Sequence, residues 1–598
     1  MQFDEALEVV GDFGLFQWLL VGYLALFMVP MHAVPMSAHV FTLLEPPHWC
    51  RQPELEEVFH LTPEEARELA VPRVPDGSWS RCTVYELNLT SLGPWMVEQK
   101  ENRSLLPARD LLPVVPCRSG WHYDYSLIYP TIVSEMDWVC DQNWKVYVSH
   151  SVFFGSMSVG VIFFGAISDR IGRVPVMAAV YLITGVGALA TYFSNDFYVF
   201  LVTRFIQGGV LLSICNIPFV LALEYMPAEK RMFMLGSFRF VYPLVGAAMP
   251  WVAYAIGHWR LLNAAIMLPC LIGAIVSPFV PESTRWLLST GNTDKAKEVL
   301  LRIGRVNGKH VQRTAIESLQ APEKGDKATA STAAIFKYPN LRRSFVLTFF
   351  VRLLACVSHQ AGQLYAAAAT DDPFVMTSIT NVVDVLGIWL AVPMADKCGR
   401  RFTMASTCAV AGLCYLVGAG LYANSVAIFA SLMAGRAVQT IAYNVGCMHA
   451  AEIYPTEIRT QGLSIRQAFG SIGKFLSSNV VQLAIFGRFL PLTVLGVISC
   501  LSALMALPLP ETSNQRLPET MQEAEARHTV SSPWLPGFSR TGTGKGKYNI
   551  STISAAVARL PCPRLSPKKE RTDLCGDPGV YLGSVRSAQL SVRSDTHL

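Results

Sequence analysis

Ser168-Asp169-Arg170-Ile171-Gly172-Arg173 closes one apolar block, and 227 positions after Asp169 the stretch Asp396-Lys397-Cys398-Gly399-Arg400 closes another. The echo has company. Arg204-Phe205-Ile206-Gln207 returns as Arg436-Ala437-Val438-Gln439, an offset of 232. Glu224-Tyr225-Met226-Pro227-Ala228-Glu229-Lys230-Arg231 returns as Glu452-Ile453-Tyr454-Pro455-Thr456-Glu457-Ile458-Arg459, an offset of 228 at both ends. One such match is noise. Matches in the same order at nearly the same spacing mean an internal duplication.

The duplicated unit becomes visible outward from these motifs. The chain has 598 residues, 51% hydrophobic and 16% charged, against about a quarter charged in soluble domains. That deficit excludes a soluble multidomain enzyme. The apolar residues fall into twelve blocks: 16–43, 147–166, 175–193, 198–222, 234–255, 260–280, 345–366, 375–395, 403–422, 427–449, 467–486 and 489–508. Each is near the ~20 residues that cross a bilayer as a helix. The bilayer leaves no backbone group unpaired, so the spans must be helices, and no alternating ten-residue pattern suggests a barrel. Each motif recurs six spans apart. Two six-helix halves of like orientation, related by an axis along the membrane normal, are the major facilitator architecture. The expected fold is therefore all-α and polytopic.

Loop charge orients it. The segments around Asp169-Arg170-Arg173, Glu229-Lys230-Arg231 and Lys397-Arg400-Arg401 are basic, and 281–344 holds twelve Lys/Arg against six Asp/Glu. The alternate loops 194–197 and 367–374 have no Lys or Arg. The positive-inside rule places the basic set in the cytoplasm. The domain reading is then a cytoplasmic N-terminus (1–15), a first span (16–43) and an extracellular loop (44–146). Spans two to six follow (147–280), then a cytoplasmic loop (281–344), the second half (345–508) and a disordered cytoplasmic tail (509–598). Acidic Asp4, Glu5, Glu8 and Asp12 argue against a cleaved signal peptide.

The outside loop carries four of the fourteen cysteines, Cys50, Cys82, Cys117 and Cys140, an even number in an oxidising compartment. Three pairings are open. Two glycosylation sequons, at Asn88 and Asn102, lie in the same loop; the one at Asn549 falls in the tail and should be silent. The motif charges suggest gating. Asp169, Arg170, Arg173, Glu224 and Arg231, with Asp396, Arg400, Glu452 and Arg459, can pair across the cytoplasmic face and break on opening. Plain topogenic charge is the alternative.

Further motifs carry a family resemblance. They are Gly11-Asp12-Phe13-Gly14-Leu15-Phe16-Gln17, Val139-Cys140-Asp141-Gln142-Asn143-Trp144-Lys145, Pro281-Glu282-Ser283-Thr284-Arg285-Trp286-Leu287-Leu288 and Pro510-Glu511-Thr512. With them, from about residue 4 to 520, the chain resembles the organic cation, organic anion and carnitine transporters of solute carrier family 22. Trp79-Ser80-Arg81-Cys82 looks most like invertebrate organic-cation and carcinine-type carriers.

Substrate residues are sought among ionisable groups inside spans, where each needs a reason. Asp384 lies twelve residues before Asp396, ~18 Å along the helix. The resemblance implies a substrate carboxylate there, usually Glu in cation carriers; the alternative is a salt bridge to Arg352. Arg352 and His359 stand where the family has apolar or aromatic residues. Ser471 replaces the Arg of anion carriers or the Asp of several cation carriers, and Lys474 follows one turn on. Tyr242 matches a family aromatic over which a cation can sit. Trp18, Tyr365, Trp389 and Tyr443 are further aromatic candidates, while Arg204 and Arg436 read as ties within their halves. The expected substrate-binding set is Asp384, Tyr242, Arg352, His359, Ser471 and Lys474.

No cofactor is implied. Gly542-Thr543-Gly544-Lys545-Gly546-Lys547 lacks the Ser/Thr and the strand–loop–helix of a phosphate loop, and neither a metal cluster nor a nucleophile triad argues for an enzyme. The expectation is a plasma-membrane carrier of small organic ions working by alternating access, with cations or zwitterions favoured. Organic-anion transport and a receptor-like or scaffolding protein on the same fold are the alternatives. Expected partners are the substrate and the lipid bilayer, with a homo-oligomer left open and no nucleic acid.

Overall fold

The computed structural model describes residues 3–527 apart from 12, 75–78, 88–111, 228–230, 310, 312–331, 369–371, 422–423, 456–457, 488, 514, 516–517 and 519. Asn88, Asn102 and Asn549 lie outside these residues.

Twelve helices among the described residues take up the twelve apolar blocks. They are α1 (15–42), α2 (Trp144–Ile171), α3 (Arg173–Tyr192), α4 (Phe197–Glu224), α5 (Arg231–Ile256) and α6 (Trp259–Val276). The second six are α7 (Pro339–Ala368), α8 (Pro373–Cys398), α9 (Arg400–Gly420), α10 (Ser425–Ile453), α11 (Arg459–Gln482) and α12 (Leu490–Ala506). Eight of them, α2–α4 and α6–α10, are long and apolar enough to cross a bilayer by length and composition. α12 is apolar but shorter. α11 is diluted by Arg459, Arg466 and Lys474. α1 is interrupted by a π-helical turn at Leu24–Met28, just before Pro30 and Pro35, the kind of local widening that bends a helix.

Short polar caps start several of these helices. The Asp196 carboxylate accepts from the Tyr198 amide at 2.8 Å, the Asp372 carboxylate from Phe374 at 3.0 Å, and the Asn424 side chain from Val426 at 3.0 Å. Each satisfies amide donors that a helix start leaves orphaned. Within the first half, buried Arg204 donates to the Asn263 side chain at 2.8 Å, tying α4 to α6. The halves meet along α2 against α11 and α5 against α8.

Between α1 and α2 lies a loop domain with helices Pro53–Val58 and Pro63–Ala70 and two antiparallel ribbons. β1 (His48–Cys50) pairs with β4 (Trp121–Tyr123), and β2 (Thr83–Tyr85) with β3 (Val114–Pro116). Of the three pairings the sequence leaves open, the structure forms Cys50–Cys117 and Cys82–Cys140. Glu135 clamps this domain to α6. Its carboxylate lies 2.6 Å from Arg260 Nη2 and accepts the Trp259 indole N–H at 2.6 Å.

At the opposite end, helix Thr293–Val306 forms where an amphipathic run is expected, burying Ala296, Leu300 and Ile303. Helix Phe3–Val10 packs Leu7 and Val10 into one cluster with Ala296 and Leu300. One expectation is corrected. The segment read as a disordered tail begins with an ordered helix, Met521–Arg527, whose Met521 and Ala524 are buried against Leu341 and Phe345 of α7.

Candidate functional site

The polar residues inside the second half converge on one wall. Asp384 on α8 is 8% exposed. Its Oδ2 lies 2.5 Å from Arg436 Nη2 on α10, and its Oδ1 accepts the Thr440 hydroxyl at 2.6 Å. The alternative pairing with Arg352 is thus corrected: Asp384 pairs with Arg436, and the two positions are too far apart in sequence for spacing to reveal it. Arg436, read as a tie within its half, also donates to the His359 carbonyl at 2.9 Å. Arg352, equally buried, donates instead to the Tyr443 hydroxyl at 2.7 Å, to Gln467 at 3.1 Å and to the Cys447 sulfur at 3.2 Å. Its guanidinium carbon stands 4.2 Å from the Tyr443 ring centroid.

His359 sits between these two cations. Its ring stacks on Tyr443 with centroids 4.9 Å apart, and its Nε2 is 3.7 Å from Asp384 Oδ1. Lys474 on α11 is half-buried and lies within electrostatic range of Arg352 and Cys356 on α7 and of Cys215 on α4 in the first half. Neither Arg352 nor Lys474 has a carboxylate partner among the described residues, whereas Arg436 has Asp384. Tyr242 faces the same space from α5, its ring 5.6 Å from that of His32 on α1. The Ser471 hydroxyl is buried and donates back to the Gln467 carbonyl at 3.3 Å. Trp18 and Trp389 are more than half exposed on the helix perimeter, and Tyr365 is buried in the core. Sequence reading missed Gln467, Cys447 and Thr440, since none is ionised and each is an ordinary helix residue until its neighbour is known.

The end bearing the disulfide domain is closed between the halves. Phe374, at the start of α8, is 3% exposed. Its ring lies 5.3 Å from Phe41 of α1, 5.5 Å from Tyr254 of α5 and 5.8 Å from Tyr129 of the loop domain. Ser378 donates to the Ala247 carbonyl at 2.9 Å just below. Aromatic packing of this kind excludes water and contributes beyond its area.

At the other end the repeated motifs build the same device twice. Arg173 pairs with Asp169 and reaches Glu224 at 3.4 Å; Arg400 pairs with Asp396 at 2.9 Å and reaches Glu452 at 3.3 Å. Glu282 accepts the amides of Arg173 and Val174 at 2.9 and 3.1 Å, and Glu511 those of Arg400 and Arg401 at 2.8 and 3.1 Å. A carboxylate on the first amides of a helix also meets the positive end of its dipole. The glycine in each motif is needed twice over. Gly172 and Gly399 have φ of +119° and +89°, and a Cβ there would come within 2.6 and 2.7 Å of the capping carboxylate. Sequence offered a signal for this: Glu282 and Glu511 are 229 apart, the repeat spacing.

The expectation is a latch across the face, and this structure is closed at the disulfide-domain end. Among the described residues each of these pairs closes within one half. Arg459 donates to the Tyr454 carbonyl at 3.1 Å rather than meeting Glu452; Arg170 is exposed, and the Arg231 side chain lies outside the described residues.

A second tie holds the first helix of each half. Asn307 accepts the Phe16 amide at 2.8 Å and donates to the Gly11 carbonyl at 3.0 Å, while a Cβ on Gly14 would fall 2.5 Å from its carboxamide. Glu525 likewise accepts the Asn340 and Leu341 amides of α7 at 3.0 and 2.8 Å.

Comparison with known proteins matches residues 123–523 to the family described as "Sugar (and other) transporter". The beta-alanine transporter of Drosophila melanogaster is 29% identical over 547 residues, covering 88% of this chain and 89% of that protein. Human solute carrier family 22 member 7 is 30% identical over 546 residues, covering 89% and 98%. Among solved structures, the inward open conformation of the xylose transporter XylE from E. coli aligns with a TM-score of 0.51 at 16% identity, covering 85% of this chain and 99% of that one. That likeness concerns the fold.

Proposed function

The chain belongs to the sugar (and other) transporter family and, within it, to solute carrier family 22, and from that we propose that it carries small organic ions bearing a carboxylate across the plasma membrane by alternating access. A multi-pass membrane transporter follows from the family. The substrate class and the working cycle are our reading. One observation supports the anionic group: among the described residues neither Arg352 nor Lys474 has a carboxylate partner, while Asp384 is already paired with Arg436. A buried cation without a counter-charge is costly, and a substrate carboxylate supplies one. The sequence-based preference for cations rested on Asp384 being free. Beta-alanine, named for the fly relative, carries a carboxylate and an ammonium, and the Tyr242 ring suits the latter. We place the disulfide domain outside, so that Phe374 and its aromatic nest close the outer gate. In this reading the Asp169 and Asp396 networks set the stiffness of the two halves as they rock.

The test is uptake of labelled β-alanine, benzoate, glutarate and tetraethylammonium in cells matched for surface expression. Carboxylates should enter and compete with one another, and Lys474→Gln should weaken their uptake at least tenfold. Uptake of tetraethylammonium that carboxylates fail to inhibit would overturn the anionic reading.

A further inference from the structure

Two imidazoles border this space among the described residues: His32 is buried and held at the Leu211 carbonyl at 2.9 Å, whereas the surroundings of His359, a group whose charge can change near neutral pH, connect that change to the substrate site. The imidazole is neither sealed nor tied. Its side chain keeps 20% of its surface accessible, and Nε2 stands 3.7 Å from Asp384 Oδ1, too long for a hydrogen bond and close enough for an ion pair. Asp384 accepts from Arg436 and Thr440, and a carboxylate has about four acceptor positions, so room remains for a third donor. The charges acting on the ring are Arg436 on α10, Asp384 on α8 and Lys474 on α11. Tyr443 covers one face, and Arg352 lies two turns back on the same helix.

An imidazolium in this position meets Asp384 as an opposite charge and Arg436 and Lys474 as like charges. A carboxylate arriving at Lys474 and Arg352 offsets the like charges. The connection is physical, through one side chain: Tyr443 stacks on His359 and its hydroxyl holds Arg352. We infer that His359 is a proton-coupling site, taking a proton from cavity water when a carboxylate substrate binds and releasing it to water on the opposite side once the substrate has left. The step is a proton binding to, and leaving, Nε2; no other bond changes. Linkage makes it reciprocal: the proton raises affinity for the anion by the factor by which the anion raises affinity for the proton. The inference rests on the transport reading above and adds the coupling ion to it.

Proteoliposomes holding the full chain, a trapped pH dye and a voltage clamped at zero with potassium and valinomycin test it. Labelled β-alanine, benzoate and glutarate are each followed as counterflow at equal pH, then as net uptake with the outside more acidic by one unit. One proton per substrate predicts about tenfold accumulation at that gradient, since one pH unit is tenfold in proton activity, together with substrate-evoked acidification inside. His359→Gln should bring the ratio of gradient-driven to equal-pH uptake to one, a ratio insensitive to any general loss of rate. His150→Gln, which alters an imidazole 3.0 Å from His39 and away from this wall, should keep the wild-type ratio. Counterflow with no response to the gradient, or a gradient response that survives His359→Gln, overturns the coupling alone. The wild-type dye signal decides even if the variant fails to fold. Absence of counterflow for all three compounds overturns the transport reading and the coupling with it.

Discussion

Asp384→Asn tests how the second half is held together. The substitution keeps side-chain shape and leaves an oxygen for Thr440, but removes the counter-charge of Arg436, which is fully buried and 2.5 Å away. Stripping one member from a buried pair costs about 3–5 kcal/mol, because the survivor stays desolvated and uncompensated. The remaining contact of Arg436, the His359 carbonyl at 2.9 Å, is a neutral acceptor and cannot replace it. Asp384→Asn should therefore lower both surface expression and the melting temperature of the solubilised protein followed by fluorescence-detected size exclusion. Arg436→Gln should do the same from the other side. Their combination removes both charges and should recover much of the loss, with a coupling of about 2–3 kcal/mol in the double-mutant cycle. Asp384→Asn with Arg352→Gln should recover nothing, since Arg352 is bound to Tyr443 and Gln467. Rescue by Arg352→Gln and none by Arg436→Gln would refute the assignment.

Asn307→Ala removes the acceptor of the Phe16 amide and a donor to Gly11, a local loss of about 2–4 kcal/mol; hydrogen exchange across residues 3–17 should accelerate while that of α9 and α12 stays unchanged. Burial opposes ionisation of Glu135, but the hydrogen bonds from Arg260 and Trp259 outweigh it and hold its carboxyl below the usual range. A lowered group stabilises the fold above its ordinary value near 4.3 and loses that contribution as pH falls through the folded value. The wild-type melting temperature should thus drop more than that of Glu135→Gln between about pH 6 and about pH 3. Peptide mapping under non-reducing conditions should find Cys50 joined to Cys117 and Cys82 to Cys140; any other pairing contradicts the loop domain. A chain ending at 513 keeps Glu511 and loses Glu525, and should melt below one ending at 527, because the first amides of α7 then lack their acceptor.

The twelve long helices were legible because a span is a composition signal, and each of these twelve overlaps its expected block. The repeats identified the two halves through residues whose chemistry is local: Gly172 and Gly399 need their turn, and Asp169 and Arg173 are one helical turn apart. Partners far apart in sequence were not legible. Asp384 has Arg352, Arg436 and Lys474 as plausible cations on three helices, and periodicity cannot say which faces it. The order of 521–527 was hidden because a short polar helix has no apolar run to announce it; its order comes from capping α7.

The ties at Asn307 and Glu525 also have a meaning in time. Each half fastens its first helix with a side chain that follows its sixth. During synthesis at about 5–20 residues per second, the amide of Phe16 waits roughly 15–60 s for Asn307, and that of Leu341 roughly 10–40 s for Glu525. Through that interval the start of α1, and later of α7, stands in the membrane with its leading amides turned to water. Neither half is sealed until its final segment has left the ribosome. The order of manufacture therefore leaves the opening helix of each repeat as the last piece to be fixed, an exposed interval for a chaperone or protease to act upon.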